Sequence, residues 1–557
     1  MRIWQGTLGL LVALILAGCQ TPQERQLQAF IDRHVAVVDP LRAETNRTMY
    51  AAEVSGDKAD FDKLKQLRLR LHEIYTNRDD FVLLKRLKES GRVRDPLLRR
   101  QLDKLYLAYL DSRMDPDLLK QIIELSTSIT ERYNNFRGTI DGEPVTMSDI
   151  YRIMTTEGHT PLRQKAWRAS KQVGNAIVED YRRLVRMRNR AVRAIGFDNY
   201  HTYVLTTGEQ DVSEVDRVFA ELDALTRGPF AERKAELDRI LAADYGLAVE
   251  QLRPWHYHDP FFQRTPLVYE VDLDRYYADH DVVQLCRDYY AGVGLPVDDI
   301  LARSDLYDKP GKNPHAFAED IDRHGDVRIL ANVNNDERWM ETTLHELGHA
   351  VYFKYHDPDL PYLLREPAHA FTTEAAAMFF GRLSRNAAWM QTMLGLSHAQ
   401  QAELEEVTRR YLEFQQILFA RWALVMWHFE KAVYADPDQD LNTLWWDLVE
   451  RYQLVHRPEG APDAGWASKL HFTVAPCYYH NYMLGELLAS QWHAHLVANV
   501  LGEASDQDIS YTNDKRIGRY FRDAVFGPAA GYRWDEMIRR STGHDLTADH
   551  FARQFIR

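Results

Sequence analysis

Apolar residues recur every three or four positions along most of this chain, on a background dense in charge. Between residues 25 and 137 one stripe runs Phe61, Leu64, Leu67, Leu71 and another Leu98, Leu102, Leu105, Tyr109. That spacing puts each set on one helix face and predicts a helical N-terminal subdomain, either simply packed with solvated outer faces or set as a lid over a cleft. Helices continue through 145–206: Thr160-Pro161 opens one, since proline is tolerated in a first turn, and Gly196 follows the run Arg188-Asn189-Arg190-Ala191-Val192 as a stop. Residues 213–245 read as another amphipathic helix. Pro254, Pro260 and Pro266 then break the pattern over 253–273, which reads as loop. Aromatic-rich helices follow at 402–434 and 442–454. Strand signal is confined to Ala316-Phe317-Ala318 and 327–333, flanking the turn 322–326. No repeat, low-complexity tract or Gly/Ser-rich linker interrupts the chain. The expectation is a mainly α, bilobed helical domain over 25–557 with a deep central cleft and one small β-hairpin, divided into a lid at 25–137 and a core at 138–557.

The first residues follow another rule. Arg2 precedes an apolar run from Leu8 to Ala17, which ends in Leu16-Ala17-Gly18-Cys19. The run is too short to span a bilayer and reads as a secretory signal over 1–18. A cysteine directly after Leu-Ala-Gly resembles the bacterial lipoprotein processing box, which implies lipidation of Cys19; the alternative is an ordinary signal peptide with an incidental cysteine. Residues 19–24 then read as a short lipidated tether. Gln20, rather than an aspartate, after the cysteine implies an outer-membrane anchor facing the periplasm. The net charge of −13 excludes a nucleic-acid footprint. Cys286 and Cys477 are the other cysteines and pair only if the fold brings them together. A monomer is expected.

The stretch with most chemistry is His345-Glu346-Leu347-Gly348-His349. Asn335 and Asp336 offer N-caps for a helix reaching Lys354, whose other positions, Met340, Leu344, Leu347, Ala350, Val351 and Phe353, are largely apolar. Residues i and i+4 share a helix face, so His345 and His349 present two imidazoles to one ion. Glu374, in the alanine-rich segment Phe371–Ala377, is the candidate third ligand. Two imidazoles and a carboxylate suit one Zn²⁺ and leave a position for water, whose proton Glu346 can take. The competing reading is a surface helix with two spaced histidines. It fits poorly with apolar flanks and with a glutamate in an alanine-rich helix that needs a partner.

A second group lies at Lys469-Leu470-His471 and Pro476-Cys477-Tyr478-Tyr479-His480-Asn481-Tyr482. His471 and a tyrosine hydroxyl can donate to an oxyanion, and a lysine suits a peptide's terminal carboxylate. Taken alone, the same residues could be a core histidine, amphipathic core tyrosines and a surface charge. The hairpin edge could hydrogen-bond a peptide backbone, or merely pack beneath the histidine helix.

The segment Pro314-His315-Ala316-Phe317-Ala318-Glu319-Asp320, then 326–329, then the histidine helix, resembles the angiotensin-converting-enzyme family of peptidyl-dipeptidases in order and spacing. The resemblance implies a zinc peptidase acting on short peptides and releasing C-terminal dipeptides. It implies substrate-backbone contacts at His315, Ala316 and Ala318, zinc ligands His345, His349 and Glu374, and Glu346 as base. It also implies carboxylate binding by Lys469 and Tyr479 and oxyanion contacts from His471 and Tyr482. Trp534 and Thr542-Gly543 resemble the family's C-terminal segment; the first 140 residues match only as helices. Departures are visible. The gap to Glu374 is one residue longer, and the paired tyrosines are shifted by one. Met378 stands where the family has an aspartate. Asn481 stands where it has a chloride-binding arginine, so chloride dependence is not carried over. The family's carboxylate-pocket glutamine has no placed counterpart. Two other readings remain open: an oligoendopeptidase of the thimet type, and a peptide-binding envelope lipoprotein without activity.

Overall fold

Thr21 opens the first helix. Its hydroxyl accepts the Glu24 N–H and the Glu24 carboxylate accepts its own, a capping box that starts α1 (Pro22–Ser55). Residues 22–24, expected as tether, are therefore the first helical turn: proline pre-sets the backbone there and the box satisfies the loose N–H groups. The computed structural model describes residues 20–266, 268, 272–461, 464–504 and 509–556; the signal segment and Cys19 lie outside the described residues.

Helices α2 (Lys58–Tyr75), α3 (Arg78–Glu89) and α4 (Pro96–Asp111) follow, each capped by an aspartate or asparagine. Leu98, Leu102, Leu105 and Tyr109 are all buried, as their spacing predicts, against Leu27, Phe30, Ile31, Leu84 and Leu87 from α1 and α3. On α2 only part of the expected stripe is covered: Leu64 and Leu67 are buried, whereas Phe61 is 40% exposed. This N-terminal core is separate from the main one, which it meets at Tyr362 and Leu363. α5 (Pro116–Asn135) belongs to the main core through Leu118, Ile122 and Ile129, so the N-terminal unit closes near Asp111 rather than at 137. Its amphipathic stripe is the same whichever core receives it.

A small hairpin, β1 (Gly138–Ile140) and β2 (Glu143–Val145), leads to the long helices α6 (Thr160–Arg193) and α7 (Val212–Tyr245). The second hairpin pairs β3 (Phe317–Asp320) with β4 (Val327–Leu330), in the register Phe317↔Leu330 to Asp320↔Val327. α1 reaches it directly. Tyr50 donates its hydroxyl to the Ile329 carbonyl (2.9 Å), and Asn46 bonds the Asp320 carbonyl (3.0 Å). Then come α8 (Glu337–Lys354), α9 (Ala370–Gly381), the 38-residue α10 (His398–Ala435) and α11 (His480–His495), joined by shorter helices. The described strands form two two-stranded sheets, and the fold is mainly α. Among the described residues no helix is long and apolar enough to cross a membrane. Cys286 and Cys477 are buried free thiols and do not pair.

Candidate active site

α8 begins where the sequence predicts, with Asp336 accepting the Trp339 N–H (2.8 Å). Met340, Leu344, Leu347, Ala350 and Val351 are fully buried, so His345 and His349 are held on a helix fixed by the core. α9 lies across it at a close approach. A Cβ at Gly348 would stand 2.7 Å from Ala377 Cα, and one at Gly485 on α11 would stand 3.1 Å from Glu374 Cβ. Glycine and alanine at these crossings let three helix backbones converge and bring Glu374 to the histidines.

The ligand atoms of His345, His349 and Glu374 all lie within 4.8 Å of one another. Each histidine Nε2 is 3.8 Å from Glu374 Oε2, too long for a hydrogen bond. A tetrahedral ion with bonds near 2.1 Å spaces its ligands about 3.4 Å apart, so the three side chains fit such an ion after a small contraction. The protonation of the two imidazoles suits it as well. Burial lowers the His345 pKa to about 4 and, helped by His345, holds His349 well below the ordinary imidazole value, so both imidazoles are neutral. Burial raises Glu374 to about 7, opposed by the Tyr478 hydroxyl, which donates to Oε1 at 3.3 Å. Thr373 Oγ1 pairs with His349 Nδ1 at 2.8 Å and orients that ring. Met378, one turn beyond Glu374, lines the cleft.

Glu346 is buried beside these groups. Burial, then the Glu374 carboxylate, push its pKa up to about 8; the Ala318 N–H, bonded to the carboxylate, opposes them. That bond ties β3 to α8. His315 does not join this group: it is exposed, with its backbone N–H on Asn313 Oδ1 (2.9 Å). Ala316 is partly buried against the main core, just before β3.

The second group converges on a cleft of about 990 Å³ lined by His345, Lys469, His471, Tyr479 and Tyr482. The Tyr479 ring sits 5.2 Å from His471 and 5.5 Å from Tyr482, centroid to centroid. Burial lowers His471 to about 4, with Lys469 adding to the effect, so it is a neutral donor. Lys469 Nζ donates to Gln263 Oε1 at 2.7 Å and faces Trp422 and Tyr479 at 5.2 Å each. Burial lowers its pKa to about 8, resisted by Asp259. Trp422 Nε1 donates to the Tyr479 hydroxyl at 2.8 Å, leaving that hydroxyl's hydrogen available to the cleft. Gln263 is not among the residues the sequence singles out. It comes from the aperiodic 253–273 loop, where Asp259 Oδ1 accepts the Phe261 and Gln263 N–H groups at 2.8 and 3.2 Å and turns the chain toward Lys469.

The cleft walls come from residue 151 onward. The N-terminal helices reach the other side of the metal-type ligands: Lys104 lines an opening of about 400 Å³ shared with Phe353, His369 and Thr373. Asn481 sits in a neutral chain, accepting from Gln210 Nε2 (2.8 Å), whose Oε1 pairs with His480 Nε2 (2.8 Å).

A peptidase family model described as "Angiotensin-converting enzyme" matches residues 21–245 and 268–554. The chain belongs to the angiotensin-converting enzyme family. Membership makes it a zinc metallopeptidase, and the match begins at residue 21, so it takes in the N-terminal helices that the sequence alone paired with the family only as helices. Among relatives, the angiotensin-converting enzyme of Theromyzon tessulatum is 21% identical over 490 residues, covering 81% of this chain and 78% of its own. That of Sus scrofa is 21% identical over 432 residues, covering 71% of this chain and 32% of its own length. Gln263 falls between the two matched stretches.

Proposed function

We propose that this metallopeptidase removes dipeptides from the free C-terminal end of short peptides. Lys469 carries the reading. It is a buried cation at the cleft wall, held by a neutral amide and by aromatic faces, with no ion pair among the described contacts. Such a charge calls for an anionic group, and a peptide's terminal carboxylate supplies one. Lys469, Gln263 and the Tyr479 hydroxyl bind that carboxylate and set the register of the chain.

His345, His349 and Glu374 hold one zinc ion, which when bound supplies a Lewis acid for the scissile carbonyl and the attacking water. Beside the bound cation, whose charge offsets the burial that raises its pKa, Glu346 accepts the water's proton and returns it to the leaving amine. His471 and Tyr482 donate to the oxyanion, each contributing about 3–4 kcal/mol when well placed. Beside the hairpin, Ala316 and the Ala318 carbonyl offer backbone hydrogen bonds that do not depend on peptide sequence, the Ala318 N–H being held by Glu346. We place His315 at the substrate's path as well, as the family resemblance implies. The neutral surroundings of Asn481 support activity without chloride.

The test is mass spectrometry of products from mixed peptides with free or amidated C-termini, with and without chelator. Dipeptides from free ends only, abolished by chelator and by Glu346→Gln with zinc retained, are expected. Equal cleavage of amidated peptides would move the reading to an endopeptidase; zinc-loaded protein inert on every peptide would leave a binding protein. We also propose a monomer anchored by acylated Cys19 in the outer membrane, facing the periplasm. Mass analysis of the N-terminal peptide and sedimentation of the purified protein check both.

A further inference from the structure

The chain enters its fold through a basic surface. Cys19 stands two positions before the α1 cap Thr21, a span of at most about 7 Å. The loop between α3 and α4 wraps that entry point: Thr21 Oγ1 donates to the Arg92 carbonyl (3.2 Å), and the buried Glu24 carboxylate accepts the Arg94 and Asp95 N–H groups (2.9 and 3.1 Å). Arg86 reaches Gln26 on α1 (3.4 Å). Residues 85–99 carry six cations, Lys85, Arg86, Lys88, Arg92, Arg94 and Arg99, against Glu89 and Asp95, in a chain whose net charge is −13. All six cations are exposed, as is Arg25; Lys88 pairs with Asp103 and Lys85 stands 3.8 Å from Glu89, whereas no ion pair engages Arg92 or Arg94 among the described residues. Net positive charge thus gathers around the start of α1, on a chain whose net charge is negative.

We propose that this face, formed by Arg25, Lys85, Arg86, Arg92 and Arg94, lies against an anionic phospholipid bilayer. An anchor at Cys19 leaves almost no tether, so the domain sits flush with the membrane and the cations meet lipid phosphates, while the acidic remainder is turned away. The inference extends the proposed anchor, and its test needs no acyl chain.

A chain starting at Gln20 keeps every described residue. It is mixed with vesicles of phosphatidylcholine alone or of phosphatidylcholine with phosphatidylglycerol, and sedimented at low and physiological salt. Binding to the anionic vesicles only, weakened by salt, is expected. The double variant Arg92→Glu/Arg94→Glu should lose roughly 25-fold or more in partitioning, because each cation at an anionic surface is worth about a factor of five. It should hydrolyse short peptides in solution as the parent does, which also reports its folding. Lys120→Glu, at an exposed position on the outer face of α5, should bind as the parent does. Equal binding to both vesicle types, no binding, or an equal loss in Lys120→Glu overturns the proposal. The anchor is read separately on the full chain. Acylated Cys19 without the vesicle preference would retain the anchor and remove this face; the preference without acylation would do the reverse.

Discussion

The metal-type ligands come from two helices whose separation is set by one glycine. Replacing Gly348 by alanine adds a Cβ 2.7 Å from Ala377 Cα, 2.9 Å from Ala376 O and 3.0 Å from Ala377 N, where ordinary contact begins near 3.4 Å. The obstructing atoms are main chain, so no rotamer change relieves them. α8 and α9 must part by about 0.7 Å, or the helices must bend, and a metal site tolerates only about 0.2 Å in its distances. The expected stability cost is that of overpacking, about 1–3 kcal/mol. Zinc affinity should fall on the order of 10–100-fold, the range seen when the groups supporting a ligand set are disturbed.

Competition against a chromophoric chelator measures the affinity, and thermal unfolding in excess chelator measures the stability of the metal-free chain. Adding Ala377→Gly should not rescue the variant, because it removes a Cβ that is not among the clashing atoms. Wild-type zinc affinity in Gly348→Ala, or recovery on adding Ala377→Gly, would refute the account of how the ligands are brought together.

Other measurements test other parts of the site. Lys469, lowered to about 8 by burial, is charged below that pH and neutral above it, so KM for free-carboxylate peptides should rise as pH passes through 8. In Lys469→Met that rise should vanish and KM should be raised throughout, by roughly 10–100-fold for a lost charge-assisted hydrogen bond; a KM that still climbs near pH 8 would assign the titration elsewhere. Thr373→Ala should keep the fold and weaken zinc binding about tenfold or more by freeing the His349 ring. Unchanged affinity in a chelator competition would remove Thr373 from that role. Peptide hydrolysis in acetate buffer should match that in chloride at equal ionic strength, since Asn481 faces Gln210 and His480 rather than a free cation; stimulation by chloride would point to an anion site elsewhere.

What could be read from the sequence depended on how far apart the interacting residues lie and on whether a periodic element carries them. His345, Glu346 and His349 share one helix with a cap and apolar flanks, so spacing alone presents them together. Glu374 was legible because a glutamate in an alanine-rich helix is costly without a partner. Gln263 was not, because an aperiodic loop carries it and its direction is set by Asp259 through two backbone hydrogen bonds that no residue pattern announces. The end of the N-terminal unit was misplaced for a related reason: amphipathicity tells that α5 buries a face, and the identity of the covering surface depends on α6, which comes later in the chain. The small residues mark the other limit. Gly348 sits inside the motif as an unspecified position, and only the path of α9 reveals that a side chain there would push the ligands apart. The motif thus names the metal-type ligands, whereas the glycine and alanine positions around it set how near they come, and substitutions at those positions should alter zinc affinity while leaving every ligand in place.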